Sequence, residues 1–129
     1  ITFGMLHGVP FLGLSGNPAA AYVGFEMLAR PAIRKMLGFP PAPRPVQMAR
    51  ITHDVRKRQP RRFFDRATVS RDPATGELLV TGAPTQNSAL LGDLHRGNAL
   101  LVVPEGPAGY AEGDVVPCVR YDIDEGTVL

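Results

Sequence analysis

The sequence predicts a short α/β segment, strand then turn then helix, followed by a small all-β, barrel-like domain. Three observations carry that prediction. An apolar run leads through a Gly/Asn/Pro turn into residues spaced on one helical face. Four prolines then crowd into Pro40-Pro41-Ala42-Pro43-Arg44-Pro45, a stiff extended spacer. Beyond them the apolar pattern changes to period two or to short runs suited to strands. The expected organisation is an α/β end over residues 1–41, a Pro-rich linker over 42–45 and a β domain over 46–129.

In the first segment, Val9–Leu14 reads as a buried strand. Ser15-Gly16-Asn17-Pro18 is the turn, with Asn17 as helix N-cap and Pro18 at the first helical position, where its missing N–H costs nothing. Ala21, Phe25, Leu28, Ala32 and Met36 follow at spacings of four, three, four and four. Pro31 interrupts this face and predicts a kink or restart. Arg34, Lys35 and Gly38 suit the helix C-terminus.

In the second segment, strands are predicted at Val46–Val55, Phe63–Ser70, Leu78–Thr81, Ala99–Val103 and Val115–Tyr121. Arg71–Gly76 reads as a hairpin loop, Ser88–Leu94 as a short helical turn, and Glu112-Gly113-Asp114 as the turn into the last strand. Five or six strands with little helix suggest a barrel or sandwich.

Composition excludes several function classes. The 129 residues include 14 glycines and 13 prolines, above ordinary usage but aperiodic, which argues against collagen. Cys118 is the single cysteine, so no disulfide framework or Cys-rich zinc module is available, and a reduced cytoplasmic setting fits. No apolar run reaches the about 18 residues that a spanning helix needs, so no membrane partner is expected. The start, Ile1-Thr2-Phe3-Gly4, has neither Met nor a basic leader and reads as beginning inside a fold. A net charge of +2 is too small for a dedicated nucleic-acid coat. The charge is nevertheless uneven: eight basic residues lie between Arg50 and Arg71 against Asp54 and Asp65, and six acids follow from Glu105 onward against Arg120.

Three stretches are candidates for chemistry. Gly13-Leu14-Ser15-Gly16-Asn17-Pro18 leads into a helix N-terminus, where outward backbone N–H groups favour an anion. Gly16 permits close backbone approach or positive φ. An ordinary capped strand–helix connection explains the same residues. In Arg61-Arg62-Phe63-Phe64-Asp65-Arg66, a strand would place Arg62, Phe64 and Arg66 on one face, where two guanidinium groups suit an oxyanion. A surface strand with one buried Phe accounts for that pattern equally. Thr85-Gln86-Asn87-Ser88 offers Ser88 as a cap or as a hydroxyl for a ligand. His7, His53 and His95 lack metal-ligand spacing, and Cys118 reads as a core residue.

These residues resemble the molybdopterin molybdenumtransferase family, MoeA and the gephyrin E domain. The resemblance rests on Gly13–Pro18, close to the family's LPGNPVS, and on Arg30–Gly38, close to RPALRKLLG. It extends through an RPEFHR-like stretch at Arg61–Arg66, the segment Gln86–Ser88 and an AN-x-L-x-x-LP-like strand at Gly97–Pro104. It implies that residues 1–41 end the α/β molybdopterin-binding domain and that the rest is the C-terminal β-barrel-like domain of a longer protein. The implied enzyme is a transferase of molybdenum cofactor biosynthesis. It inserts molybdate into adenylylated molybdopterin, releases AMP, uses Mg²⁺ and works as a homodimer in the cytoplasm.

By match of motif, Ser15, Gly16, Asn17 and Pro18 would line the molybdopterin and molybdate pocket. Arg62, Arg66 and Ser88 would approach it from the C-terminal domain, with Arg66 and Ser88 coming from the other subunit. The catalytic acids, the lysines and the metal ligands are implied upstream, with none in this segment, and the segment alone is expected to be inactive. Ser15 departs from the family's Pro, Ala20 from its Ser, Asp65 from its His and Leu90 from its Arg. A gephyrin-like, non-catalytic scaffold is the alternative reading. A small basic domain binding nucleic acid through Arg50–Arg71 is a third, distinguished by steep salt dependence.

Overall fold

The two-residue turn His7-Gly8 decides the start of the chain. Both residues have positive φ (49° and 80°), the geometry that joins two strands with matching right-handed twist. β1 (Thr2–Leu6) and β2 (Val9–Gly13) therefore pair antiparallel, from Thr2 opposite Gly13 to Leu6 opposite Val9. The structure, a computed structural model, describes residues 1–57, 59–84 and 95–129. The predicted helical turn at Ser88–Leu94 lies outside them. The described residues form two compact units, divided between Pro43 and Arg44.

In the first unit, β2 is not the buried strand its apolar run predicts. Val9 and Phe11 are exposed, while the helical stretch approaches the ribbon only near its ends, where Gly24 lies against Leu14 and Ile1. The helical stretch runs as α1 (Pro18–Gly24), a π turn (Phe25–Ala29) and α2 (Arg30–Met36). The restart predicted at Pro31 occurs: α2 begins at Arg30, with Pro31 in its first turn, after a wider turn that closes where the Arg30 N–H reaches back to the Phe25 carbonyl. Such a π bulge rearranges the hydrogen-bond ladder next to a residue that has no N–H to give. Glu26, buried in this stretch, lies 3.9 Å from Arg30 one turn on. The helix ends as the sequence predicts: Leu37 and Gly38 close the last turn, and Arg34 sits 4.7 Å over the Phe39 ring.

The second unit is a closed barrel of five strands: β3 (Val46–Ile51), β4 (Phe63–Arg71), β5 (Leu78–Gly82), β6 (Ala99–Val103) and β7 (Val115–Arg120). Their order around the barrel is β3-β5-β4-β6-β7. Only the β3–β5 pair is parallel. Closure leaves no strand edge unpaired within the barrel. The interior is filled by small and branched side chains, among them Ala49, Ile51, Ala67, Val80, Leu101 and Val116, with Cys118. Each comes from the alternate positions of its strand, as a pleated strand requires.

The observed strands lie within a residue of the predicted ones except at β3. That strand stops at Ile51, and Val55 instead forms an isolated bridge with Tyr110. β4 and β5 join through the predicted hairpin, in which the Asp72 carboxylate accepts from the Ala74 N–H.

Candidate functional site

The turn Ser15–Pro18 is held by short-range hydrogen bonds. The Asn17 N–H donates to Ser15 Oγ (3.2 Å), and Asn17 Oδ1 accepts from the Ala20 N–H (3.4 Å), which makes Asn17 the predicted N-cap. The Asn17 N–H thus already has the Ser15 hydroxyl as acceptor and is not an open donor. Gly16 has no positive φ, and a Cβ added there would meet nothing within 4 Å. Its own backbone does not demand glycine, and the space beside it is open. Ser15, Gly16 and Pro18 are exposed.

The second-unit candidates separate from one another. β4 begins at Phe63, so Arg62 precedes the strand that carries Arg66. Arg62 is exposed and donates through Nη2 and Nε to Glu105 (2.9 and 3.2 Å). Hydrogen bonds from its own backbone N–H and then from Arg62 hold Glu105 below the usual carboxylate range.

Arg66 is the unusual residue. Ala67 and Val69 point into the barrel, so alternation turns Arg66 outward, yet it is only 3% exposed. It stands opposite Leu100, which stands opposite Val119, and both are buried too. These three side chains form a covered row on the outer surface of β4, β6 and β7. The Arg66 side chain is engaged and not a free cation. A guanidinium stays charged at any physiological pH, so this position keeps a permanent cation out of bulk water.

Asp65 lies on the opposite, inward side of β4, half-buried between Phe63 and Ala67. Burial pushes its carboxyl above the usual range, and the neighbouring Arg66 charge partly offsets this. Ser88 lies outside the described residues, as do Gln86 and Leu90.

Sequence reasoning missed the frame that holds Arg62. Val55 and Tyr110 exchange two backbone hydrogen bonds (2.8 and 3.0 Å), Gly106 N–H donates to the Pro60 carbonyl (2.9 Å), and Lys57 Nζ donates to the Pro104 carbonyl. The partners are 46 to 55 residues apart in sequence, and no local spacing announces them. The one local signal is Gly109: a Cβ there would fall 1.7 Å from the Val55 carbonyl oxygen, so the pair closes only over a glycine.

The model of the MoeA C-terminal region (domain IV) matches residues 48–120, the barrel from β3 to β7. The chain belongs to this family. Its MoeA-type character extends beyond the matched stretch. The chain is 38% identical over 119 residues to molybdopterin molybdenumtransferase 1 of Mycobacterium tuberculosis, covering 88% of this chain and 28% of that protein. It is 36% identical over 115 residues to the molybdopterin molybdenumtransferase of Bacillus subtilis, covering 89% of this chain and 26% of that protein. The crystal structure of the molybdopterin biosynthesis MoeA protein from Pyrococcus horikoshii OT3 superposes with a TM-score of 0.67 at 25% identity, over 92% of this chain and 29% of that one. The MoeA-type chain thus spans under a third of the length of these relatives.

Among the described residues, no group of three His, Cys, Asp or Glu side chains comes together to hold a metal ion. The described residues therefore do not build a magnesium site by themselves. No helix among the described residues is long and apolar enough to cross a membrane.

Proposed function

We propose that this chain is the C-terminal part of a molybdenum-inserting transferase. In this reading, adenylylated molybdopterin and molybdate react to give molybdenum cofactor with release of AMP. The observation that carries the proposal is the family match across the whole barrel, joined to relatives that are named for this transfer and align over nearly all of this chain.

The physical task is to hold a phosphorylated pterin and a molybdate dianion together against their repulsion. Cations kept out of bulk water do this best, because screening and competing hydration are weakest there. Arg66 has that character. Arg62, steadied by Glu105, and the open backbone at Gly16 are the further candidates, with Asn17, Pro18 and the Ser15 hydroxyl around them. In the proposed homodimer, Arg66 and Ser88 of one subunit would complete the pocket that Ser15–Pro18 lines in the other. Magnesium, its acidic ligands and the lysines would come from parts of the longer protein outside this sequence, and the setting would be cytoplasmic.

The test is a chimera in which this chain replaces the stretch it matches in the M. tuberculosis relative. The chimera is assayed for reconstitution of a molybdenum-free apoenzyme from adenylylated molybdopterin and molybdate. The expected result is activity in the chimera, and loss of about 100-fold or more in Arg66→Ala and Ser88→Ala with circular dichroism unchanged. Arg66→Lys keeps a charge in the covered row and separates a folding defect from a lost contact. An inactive but folded chimera would move the scaffold reading to the front. Active Arg66→Ala and Ser88→Ala variants would remove these two residues from the site.

A further inference from the structure

The loop between β3 and β4 carries Arg56, Lys57, Arg58, Arg61 and Arg62 with no acid among residues 56–62. Its described residues are tied at several points. The Val55–Tyr110 pair anchors its start, the Pro60–Gly106 hydrogen bond its middle and the Arg62–Glu105 ion pair its end. Lys57 donates to the Pro104 carbonyl and lies 5.6 Å from the Phe63 ring centre. Two of the loop's cations are thereby committed. Arg56 and Arg61 are exposed and have no partner among the described residues.

Beside the loop runs an open groove lined by Val55, Arg56, Lys57, Pro107, Gly109 and Tyr110. Asp54 lies at one end, but its carboxylate already accepts from the Glu112 N–H (2.9 Å). The groove is shallow, unlike the enclosed clefts that bury small ligands. Its floor is half-buried Val55 and Tyr110 with Pro107, Arg56 and Lys57 stand in its lining, and Arg61 lies outside that lining, next to Pro60, whose carbonyl is tied to Gly106 beside Pro107.

We propose that this groove docks an acidic, extended segment of a partner polypeptide, with an apolar side chain over the Val55–Tyr110 floor and carboxylates on Arg56 and Arg61. Charge complementarity selects the occupant. Two unpaired guanidinium forks match two carboxylates. A nucleic acid asks instead for a track of cations and for aromatic faces on which bases stack. Here Lys57 covers Phe63, and Tyr110 is tied by its hydroxyl to the Val102 carbonyl (2.9 Å). Because Val55, Lys57, Pro60 and Arg62 are already tied, binding does not have to order them. The proposal is independent of the transferase reading.

The test is an NMR titration of the ¹⁵N-labelled 129-residue chain with a synthetic peptide of glutamates around a central phenylalanine. The amides of Val55–Lys57 and Gly109–Ala111 should shift saturably at low salt, with affinity falling as salt rises. The double variant Arg56→Ser/Arg61→Ser should bind about tenfold more weakly, with its Val69 and Asn98 amides unmoved as the sign of an intact barrel. Unmoved groove amides, or a double variant that binds as tightly as the parent chain, would overturn the proposal. So would displacement of the peptide by a lower concentration of a single-stranded oligonucleotide of equal charge, which would assign the groove to nucleic acid.

Discussion

The side-chain amide of Asn98 occupies the place of a strand residue beside Val69. Its Oδ1 accepts from the Val69 N–H (2.7 Å) and its Nδ2 donates to the Val69 carbonyl (2.9 Å). The backbone of Asn98 is used as well: its N–H donates to the Ala67 carbonyl and its carbonyl accepts from Tyr121 (both 3.2 Å). One residue therefore continues the β4–β6 ladder ahead of the start of β6 and ties in the chain just after β7.

Asn98→Ala should lower stability by about 2 kcal/mol, since two hydrogen bonds are lost and the N–H and carbonyl of buried Val69 are left without partners. Asn98→Asp keeps the acceptor but sets a carboxylate against the Val69 carbonyl, so it should not rescue the loss. Urea unfolding of the 129-residue chain measures both. A loss under about 0.5 kcal/mol for Asn98→Ala would mean that water takes over both Val69 groups.

Gly109→Ala should be at least as damaging, at about 3 kcal/mol or more, because its Cβ and the Val55 carbonyl oxygen cannot share the same space. The Val55–Tyr110 pair must open, and the groove beside it should lose its shape. Hydrogen exchange at the Val55 and Tyr110 amides reports this directly, and unchanged protection there would refute it.

Asp65 makes a pH prediction whose sign is set by burial. Its folded pKa is raised, so its favourable contribution is complete below the ordinary aspartate value of about 3.9 and is lost as pH rises through the folded value. At pH 7 the ionised carboxylate costs stability. Asp65→Asn should therefore unfold at a higher urea concentration than the parent chain at pH 7, and the gap should close below about pH 4. An equal gap at both pH values would show that packing, not ionisation, separates the two side chains.

Cys118 should be chemically quiet in the folded chain. It is fully buried, and burial pushes its thiol up to about 11. Alkylation by iodoacetamide at pH 8 should run about 100-fold slower in buffer than in denaturing urea, because thiolate is scarce and the reagent is excluded. Comparable rates would mean that the barrel opens readily between β6 and β7.

The barrel strands and the Asn17 cap were legible in the sequence because each rests on neighbours within a few residues: period-two apolar positions, a Pro at the first helical position, an Asp/Gly hairpin loop. Residues 61–66 were legible only as a pattern. Their alternation and the start of the strand at Phe63 were readable, but the separate surroundings of Arg62, paired with Glu105, and of buried Arg66 were not. The exposure of Val9 and Phe11 was hidden for a similar reason: an apolar run records what can be buried, not which of its residues a neighbouring element covers. The π turn before Pro31 was also hidden, because proline states that one hydrogen bond is missing and not where the helix absorbs the loss.

The sequence by itself determined the helix, the barrel strands apart from the end of β3, the family to which the barrel belongs and the concentration of basic charge between Arg50 and Arg71, but not β1. Only the tertiary structure decided which of those charges are used. Arg62 is bound by Glu105, Lys57 by the Pro104 carbonyl and Arg50 by Glu77, while Arg66 is turned outward and yet buried. Each outcome comes from a contact between residues 27 to 47 positions apart, or from covering of an outer strand face. Local spacing encodes backbone conformation, but the environment of a charge is set by whatever the closed barrel brings beside it.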